Sequence, residues 1–174
     1  MKRTTPAPTD PWTDKPANTA HGSVPRPGRV LLGLDARRPS GAAIDLAFAD
    51  ARTRGALLHA VHTWSLPPSA AEWPFGVPET DRATWEDQEV QFLADALRPW
   101  REKYPDVPVV EDVLLLPPAR ALVHHCGSAA QIVVSGEPGS DCGEVVRSLL
   151  REAVCPVTVV PCTGFLSAAE SVAE

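Results

Sequence analysis

The sequence predicts an α/β fold: a doubly wound, five-stranded parallel sheet with helices on both faces. Two observations predict it. Short, nearly continuous apolar runs recur along the chain, as strands covered on both faces require, and stretches of helical spacing separate them. Residues 131–161, QIVVSGEPGSDCGEVVRSLLREAVCPVTVVP, then read as buried strand, glycine-rich loop, short helix and buried strand. Right-handed crossovers turn such an alternation into a layered parallel sheet. Ligands of such sheets bind beyond the carboxyl ends of the strands, where the strand order reverses. The loops at 35–40 and 136–143 are the candidates.

The first strand spans 29–35 (RVLLGLD), and Ser40 is placed to cap the helix behind it. In that helix Ile44, Ala47, Phe48 and Ala51 share one face, and Gly55 ends it. The second strand is 56–64 (ALLHAVHTW), followed by a Pro-rich loop, 65–78, carrying Trp73 and Phe75. The longest helix is expected from Asp81 to about Lys103, burying Trp85, Gln88 or Glu89, Phe92, Leu93, Ala96, Leu97 and Trp100. Pro99 removes a helical hydrogen bond, so a kink or an early end is expected there. A third strand at 107–116 and a helix at 118–126, opened by prolines and closed near Gly127, come next. The last elements are a strand at 130–135, a helix at 143–153 and a strand at 155–160.

Residues 1–28 hold six prolines and no apolar periodicity, which predicts a disordered or extended tail. The structured domain is expected at 29–161, and 162–174 as a flexible tail. A net charge of -6 argues against nucleic acid as a partner, because neutralising phosphates needs a basic face. No apolar run approaches the ~18 residues of a membrane span, and MKRTT leads into no apolar signal region, so the expectation is a cytoplasmic protein. Cys126, Cys142, Cys155 and Cys162 have no metal-ligand spacing and are expected as thiols; no metal site is expected.

The order and spacing of three blocks resemble the universal stress protein family. They are VLLGLDARRPSGAAIDLAFADARTRGALLHAVHTW, PPARALVHHCGSAAQIVVSG and REAVCPVTVVP. The resemblance covers about 29–161 and implies the strand order 3-2-1-4-5 and a dimer. Some members of the family bind ATP, on a loop of the form G-x2-G-x9-G-[ST]. Glycines in such a loop let backbone N–H groups approach the phosphates, and the following helix N-terminus favours their charge. Here Gly136 and Gly139 match the first two glycines and Gly143 the last. Only three residues separate Gly139 from Gly143, and Glu144 stands at the hydroxyl position. Asp35 matches the residue that contacts the nucleoside in binders, and Ala60 a position whose backbone meets adenine. The nucleoside half therefore looks intact and the phosphate half damaged.

Each of these residues has a plainer reading. The loop at 136–143 is also a tight turn, and Glu144 suits the first turn of any helix. Asp35 can hydrogen-bond a ribose or cap its own loop. His59 and His62 point to opposite faces of a strand, which argues against joint ligation. His124 and His125, at a helix end, suit its dipole. Trp64, Trp73 and Phe75 could roof a pocket or cover the core. No nucleophile elbow, paired carboxylates or metal motif is present, so no catalytic residues are expected and the protein is not read as an enzyme.

The sequence thus points to a stress-response regulatory module with weak or no ATP binding. The alternative is a switch holding ATP or AMP on Asp35, Ala60, Gly136, Gly139 and Gly143. A homodimer is expected through the strand at 155–160, which at a sheet edge would offer unpaired backbone groups to a second copy.

Overall fold

The computed structural model describes residues 28–73, 76–136 and 141–161. Apart from Gly28, the tails expected at 1–28 and 162–174 lie outside the described residues, as do Phe75 and Gly139. The elements run β1 (Arg29–Leu34), α1 (Gly41–Arg54), β2 (Leu58–Thr63), a 3-10 turn (Pro68–Glu72), α2 (Glu79–Lys103), β3 (Val109–Leu114), α3 (Pro118–Cys126), β4 (Ala129–Gly136), α4 (Asp141–Glu152) and β5 (Val157–Pro161). The sheet is parallel throughout, in the order β3-β2-β1-β4-β5. That is the doubly wound sheet expected, with β1 and β4 adjacent at the reversal of strand order.

Strand alternation sorts the core into two layers. Val30, Leu32, Leu58, Ala60 and Val133 face α1 and α2. Leu31, Val61, Ile132 and Val134 face α3 and α4. The side chain of Ser40 accepts from the backbone N–H of Ala43 and caps α1, and Gly55 ends it at φ 59°, a left-handed conformation that favours glycine. The four residues expected on the inner face of α1 are all buried. Phe48 stacks on Tyr104, with 5.6 Å between ring centroids. Asp45 accepts from Lys103 Nζ and from Tyr104 Oη, both at 2.7 Å, which ties the end of α2 to α1. These hydrogen bonds, that of Lys103 foremost, hold the Asp45 carboxyl below its ordinary range.

Gly33 answers to a close approach. A Cβ there would stand 2.7 Å from Leu122 Cδ1 and 3.0 Å from Val134 Cγ1. The missing side chain is what lets α3 pack directly on β1.

Three expectations need correction. The long helix neither starts at Asp81 nor ends early at Pro99; it runs from Glu79 to Lys103. Pro99 is exposed, so the carbonyl it leaves without a helical partner can be met by water. The buried stripe of α2 is also narrower than expected: Glu89, of the pair Gln88 or Glu89, Leu93 and Leu97 are buried, whereas Trp85, Ala96 and Trp100 are half-buried and Phe92 is exposed. Finally, α4 opens at Asp141, two residues before the expected start. Gly143 becomes the third residue of the helix.

Candidate functional site

A cleft of about 1350 Å³ opens at the carboxyl ends of the strands. Its floor is built from the ends of β1, β2 and β4, and α2 and the start of α3 wall it. This is where a sheet of this topology presents a ligand site, and the volume has room for a nucleotide-sized molecule.

The most buried polar groups of the cleft form one cluster. Glu89 enters from α2 with its side chain only 2% exposed, and so does His62 from β2. His62 Nε2 lies 3.0 Å from Glu89 Oε2. The backbone N–H of Ala36 lies 3.2 Å from His62 Nδ1, with the Leu34 carbonyl 3.3 Å from the same nitrogen. An amide N–H can only donate, so Nδ1 is the acceptor, the ring proton sits on Nε2 and Glu89 receives it. Arg37, from the loop after β1, completes the cluster: its Nε reaches both carboxylate oxygens at 3.2 Å and Nη2 donates to Oε1. The same guanidinium lies over the ring of Phe92, 5.1 Å from its centroid. Burial pushes the Glu89 carboxyl up, but the hydrogen bonds from Arg37 and His62 outweigh it and hold the group below its ordinary range. With both ring nitrogens of His62 engaged, the cluster shapes the wall of the cleft and offers no free base.

Asp35 lines the cleft and also caps its own loop. Its Oδ1 accepts from the backbone N–H of Arg37 at 3.0 Å, and Oδ2 from Arg38 Nε at 3.3 Å. Ala60 is fully buried in mid-sheet, opposite Leu32 and Glu111, and the cleft begins at the next residue, Val61. Gly136 is the last residue of β4, paired with Pro161, and Gly143 lies inside α4; neither lines the cleft. Glu144 is exposed, while its neighbour Val145 lines the cleft. Of the aromatic residues, Trp64 is buried in the cleft wall and Trp73 is exposed. The indole N–H of Trp64 has no hydrogen-bond partner among the described residues.

The structure therefore brings Asp35 to the cleft and leaves Ala60, Gly136 and Gly143 off its lining. Sequence reasoning missed the cluster of Arg37, His62 and Glu89. One signal was available: Glu89 falls four residues before Leu93 and eight before Leu97, and an acid on a buried helical stripe demands a partner.

On the far face of β2, His59 is buried at 3% side-chain exposure. It meets Asp112 of β3 and His125 of α3, again a grouping that spacing did not reveal. The two histidines do point to opposite faces. Cys126 and Cys155 are free thiols, and burial, then the neighbouring Cys126, pushes Cys155 above its ordinary value. Among the described residues, no helix is long and apolar enough to cross a membrane.

Comparison with known proteins agrees with this architecture. A universal stress protein of Mycobacterium tuberculosis is 33% identical over 164 residues, covering 80% of this chain and 49% of the relative. A second from the same organism is 36% identical over 140 residues, covering 78% and 46%. The chain thus spans about half the length of the curated relatives it matches. Among solved structures, a universal stress family protein of Burkholderia pseudomallei superposes with a TM-score of 0.57 at 23% identity, covering 78% of this chain and 96% of that one. One from Archaeoglobus fulgidus gives 0.56 at 19% identity, covering 76% and 92%. At such identities these two speak for the fold alone. The profile of the universal stress protein family itself matches residues 27–161, and the chain belongs to that family.

Proposed function

We propose that this domain acts in the stress response by binding and not by catalysis, as a cytoplasmic regulatory module with little affinity for ATP. The observation that carries the reading is where the glycines lie. Gly136 closes a strand, and Gly143, although its N–H lies in the first turn of α4 where helical partners are lacking, stands off the cleft lining with it, so neither presents a phosphate cradle to the cleft. The charged groups nearest the floor are spent on one another: Arg37 on Glu89, and Asp35 on its own loop. On this reading the protein works through protein contacts. One of these is a homodimer through β5, an edge strand on which Val159 is 38% exposed.

A second reading, an adenine-nucleotide switch, is favoured by the size of the cleft and by the buried N–H of Trp64, without a partner among the described residues. Such a donor costs stability unless something accepts from it. In that case Asp35 contacts the nucleoside of ATP or AMP.

Calorimetric titration with ATP and Mg²⁺, AMP and adenosine separates the two. The first reading expects adenosine to bind at least as well as ATP, or none of the three to bind. Micromolar ATP binding, much tighter than adenosine, would install the switch. Sedimentation of wild type beside a Val159→Pro variant tests the dimer, because the backbone N–H of Val159 faces away from β4 and proline removes that donor from the open edge.

A further inference from the structure

The geometry points to a second site, away from the cleft: a divalent transition-metal site formed by His59, Asp112 and His125, with zinc as the best match. The three residues come from β2, β3 and the last turn of α3. One donor atom from each lies within 4.8 Å of the other two. His59 Nε2 is 2.6 Å from Asp112 Oδ2, and His125 Nε2 is 3.9 Å from the same oxygen. The two rings meet edge to face, with centroids 4.8 Å apart. Two imidazoles and a carboxylate are a donor set that zinc takes readily, with bonds of about 2.0–2.2 Å, which put tetrahedral ligand atoms roughly 3.3 Å apart. One observed separation must open slightly and the other close slightly. Asp112 can make that adjustment, because it lies on an edge strand with its side chain 38% exposed, and the two imidazole donors, within 4.8 Å of each other, close on the ion through rotation of the partly exposed His125.

The electrostatics favour a cation in part. Asp112 supplies a negative charge, and the last turn of α3 supplies the negative end of a helix dipole. Arg29 opposes it. Its Nη1 lies 3.4 Å from His59 Nδ1, and a guanidinium only donates, so without metal the ring keeps its proton on Nε2, which donates a hydrogen bond to Asp112. For a metal to bind at Nε2, that proton must move to Nδ1 and Arg29 must turn away. No proton is lost from the ring; the tautomer changes. Arg29 thereby acts as a brake on metal capture. A side chain able to accept from Nδ1–H would release the brake, since ligating histidines ordinarily give their second N–H to an acceptor. Among the described residues the protein donors number three, and Asp112 and His125 are both partly exposed, which leaves a fourth position open to water.

The test is titration of the full chain with Zn²⁺ against a chromophoric chelator, with Co²⁺ as spectroscopic probe. Wild type is expected to bind one equivalent at micromolar affinity, and Co²⁺ to show the visible bands of a nitrogen- and oxygen-ligated, low-coordinate ion. His125→Ala and Asp112→Asn should each weaken binding tenfold or more. Because His125 and Asp112 are partly exposed, these variants should fold, which circular dichroism verifies. Arg29→Gln should tighten binding, and His124→Ala, altering an exposed neighbour outside the donor set, should leave it unchanged. Three results would overturn the site: no stoichiometric binding, equal binding by wild type and the His125 and Asp112 variants, or a thiolate-to-cobalt charge-transfer band, which would assign the ion to cysteine.

Discussion

His59 and His62 stand three residues apart on one strand and meet opposite surroundings. His62 faces α1 and α2, where Ala36 and Glu89 engage both of its nitrogens and Arg37 completes the charge balance. His59 faces α3, where its partners are a half-exposed carboxylate, a second histidine and one long contact to arginine. The first cluster is closed and structural. In the second both nitrogens of His59 are also engaged, but its partners Asp112 and His125 are partly exposed, and the contact to Arg29 is long. Burial of a histidine thus says little about its role; what decides is how open the groups around it are.

The largest expected effect falls on the closed cluster. Glu89→Ala leaves the His62 N–H buried without an acceptor, while Arg37, more than half exposed, returns to water. A loss of about 2–3 kcal/mol in urea unfolding is expected. A loss below ~0.5 kcal/mol would mean that the cluster is not closed.

Gly33→Ala comes next and probes the packing of α3 on β1. The new methyl group would meet Leu122 at 2.7 Å, so a loss of about 1–3 kcal/mol is expected in the same assay.

The acid limb of stability sharpens the contrast further. The folded-state value of Glu89 is depressed, so its contribution is fully present above the ordinary carboxylate value of 4.5. It is lost as pH falls through the lower, folded-state value. Glu89→Gln should therefore be less stable than wild type at pH 7, with the difference shrinking below pH 4.5. A gap that stays constant with pH would show that charge is not what Glu89 contributes.

Asp112→Asn should cost less than about 1 kcal/mol, because Asp112 is partly exposed and asparagine still offers an acceptor to His59. Its large effect should appear only in metal affinity. The smallest effect is expected at Glu144→Ser. The side chain is exposed, so ATP affinity should change by less than ~3-fold. A larger gain in titration would mean that Glu144 does guard the cleft.

Much of the fold was legible. The apolar runs and helical faces placed every strand and long helix to within a few residues, because burial on both faces and a period near 3.6 are local signals. The strand order came from the family resemblance, since periodicity carries no order. Boundaries failed where backbone geometry competes with composition. Gly143 reads as a loop residue, yet the helix opens before it at Asp141. Pro99 reads as a helix end, yet its exposed position tolerates the missing bond.

The candidate sites were less legible. Asp35 could be located at the end of a strand with two readings, and the structure shows the one in which it caps its own loop through the backbone of Arg37. Gln88 or Glu89 could be placed on the inner face of α2, but not Glu89 against Arg37 and His62, 52 and 27 residues away. His59 and Asp112 are 53 residues apart, and only the register that pairs His62 with Val113, and so sets Asp112 on the α3 face, brings them together. The sequence by itself determined which segments are strands and helices and which faces are apolar, because those properties repeat along the chain. Which buried polar groups meet was decided by strand register, helix rotation and the absence of a side chain at Gly33. These set distances between residues that nothing in the local pattern connects.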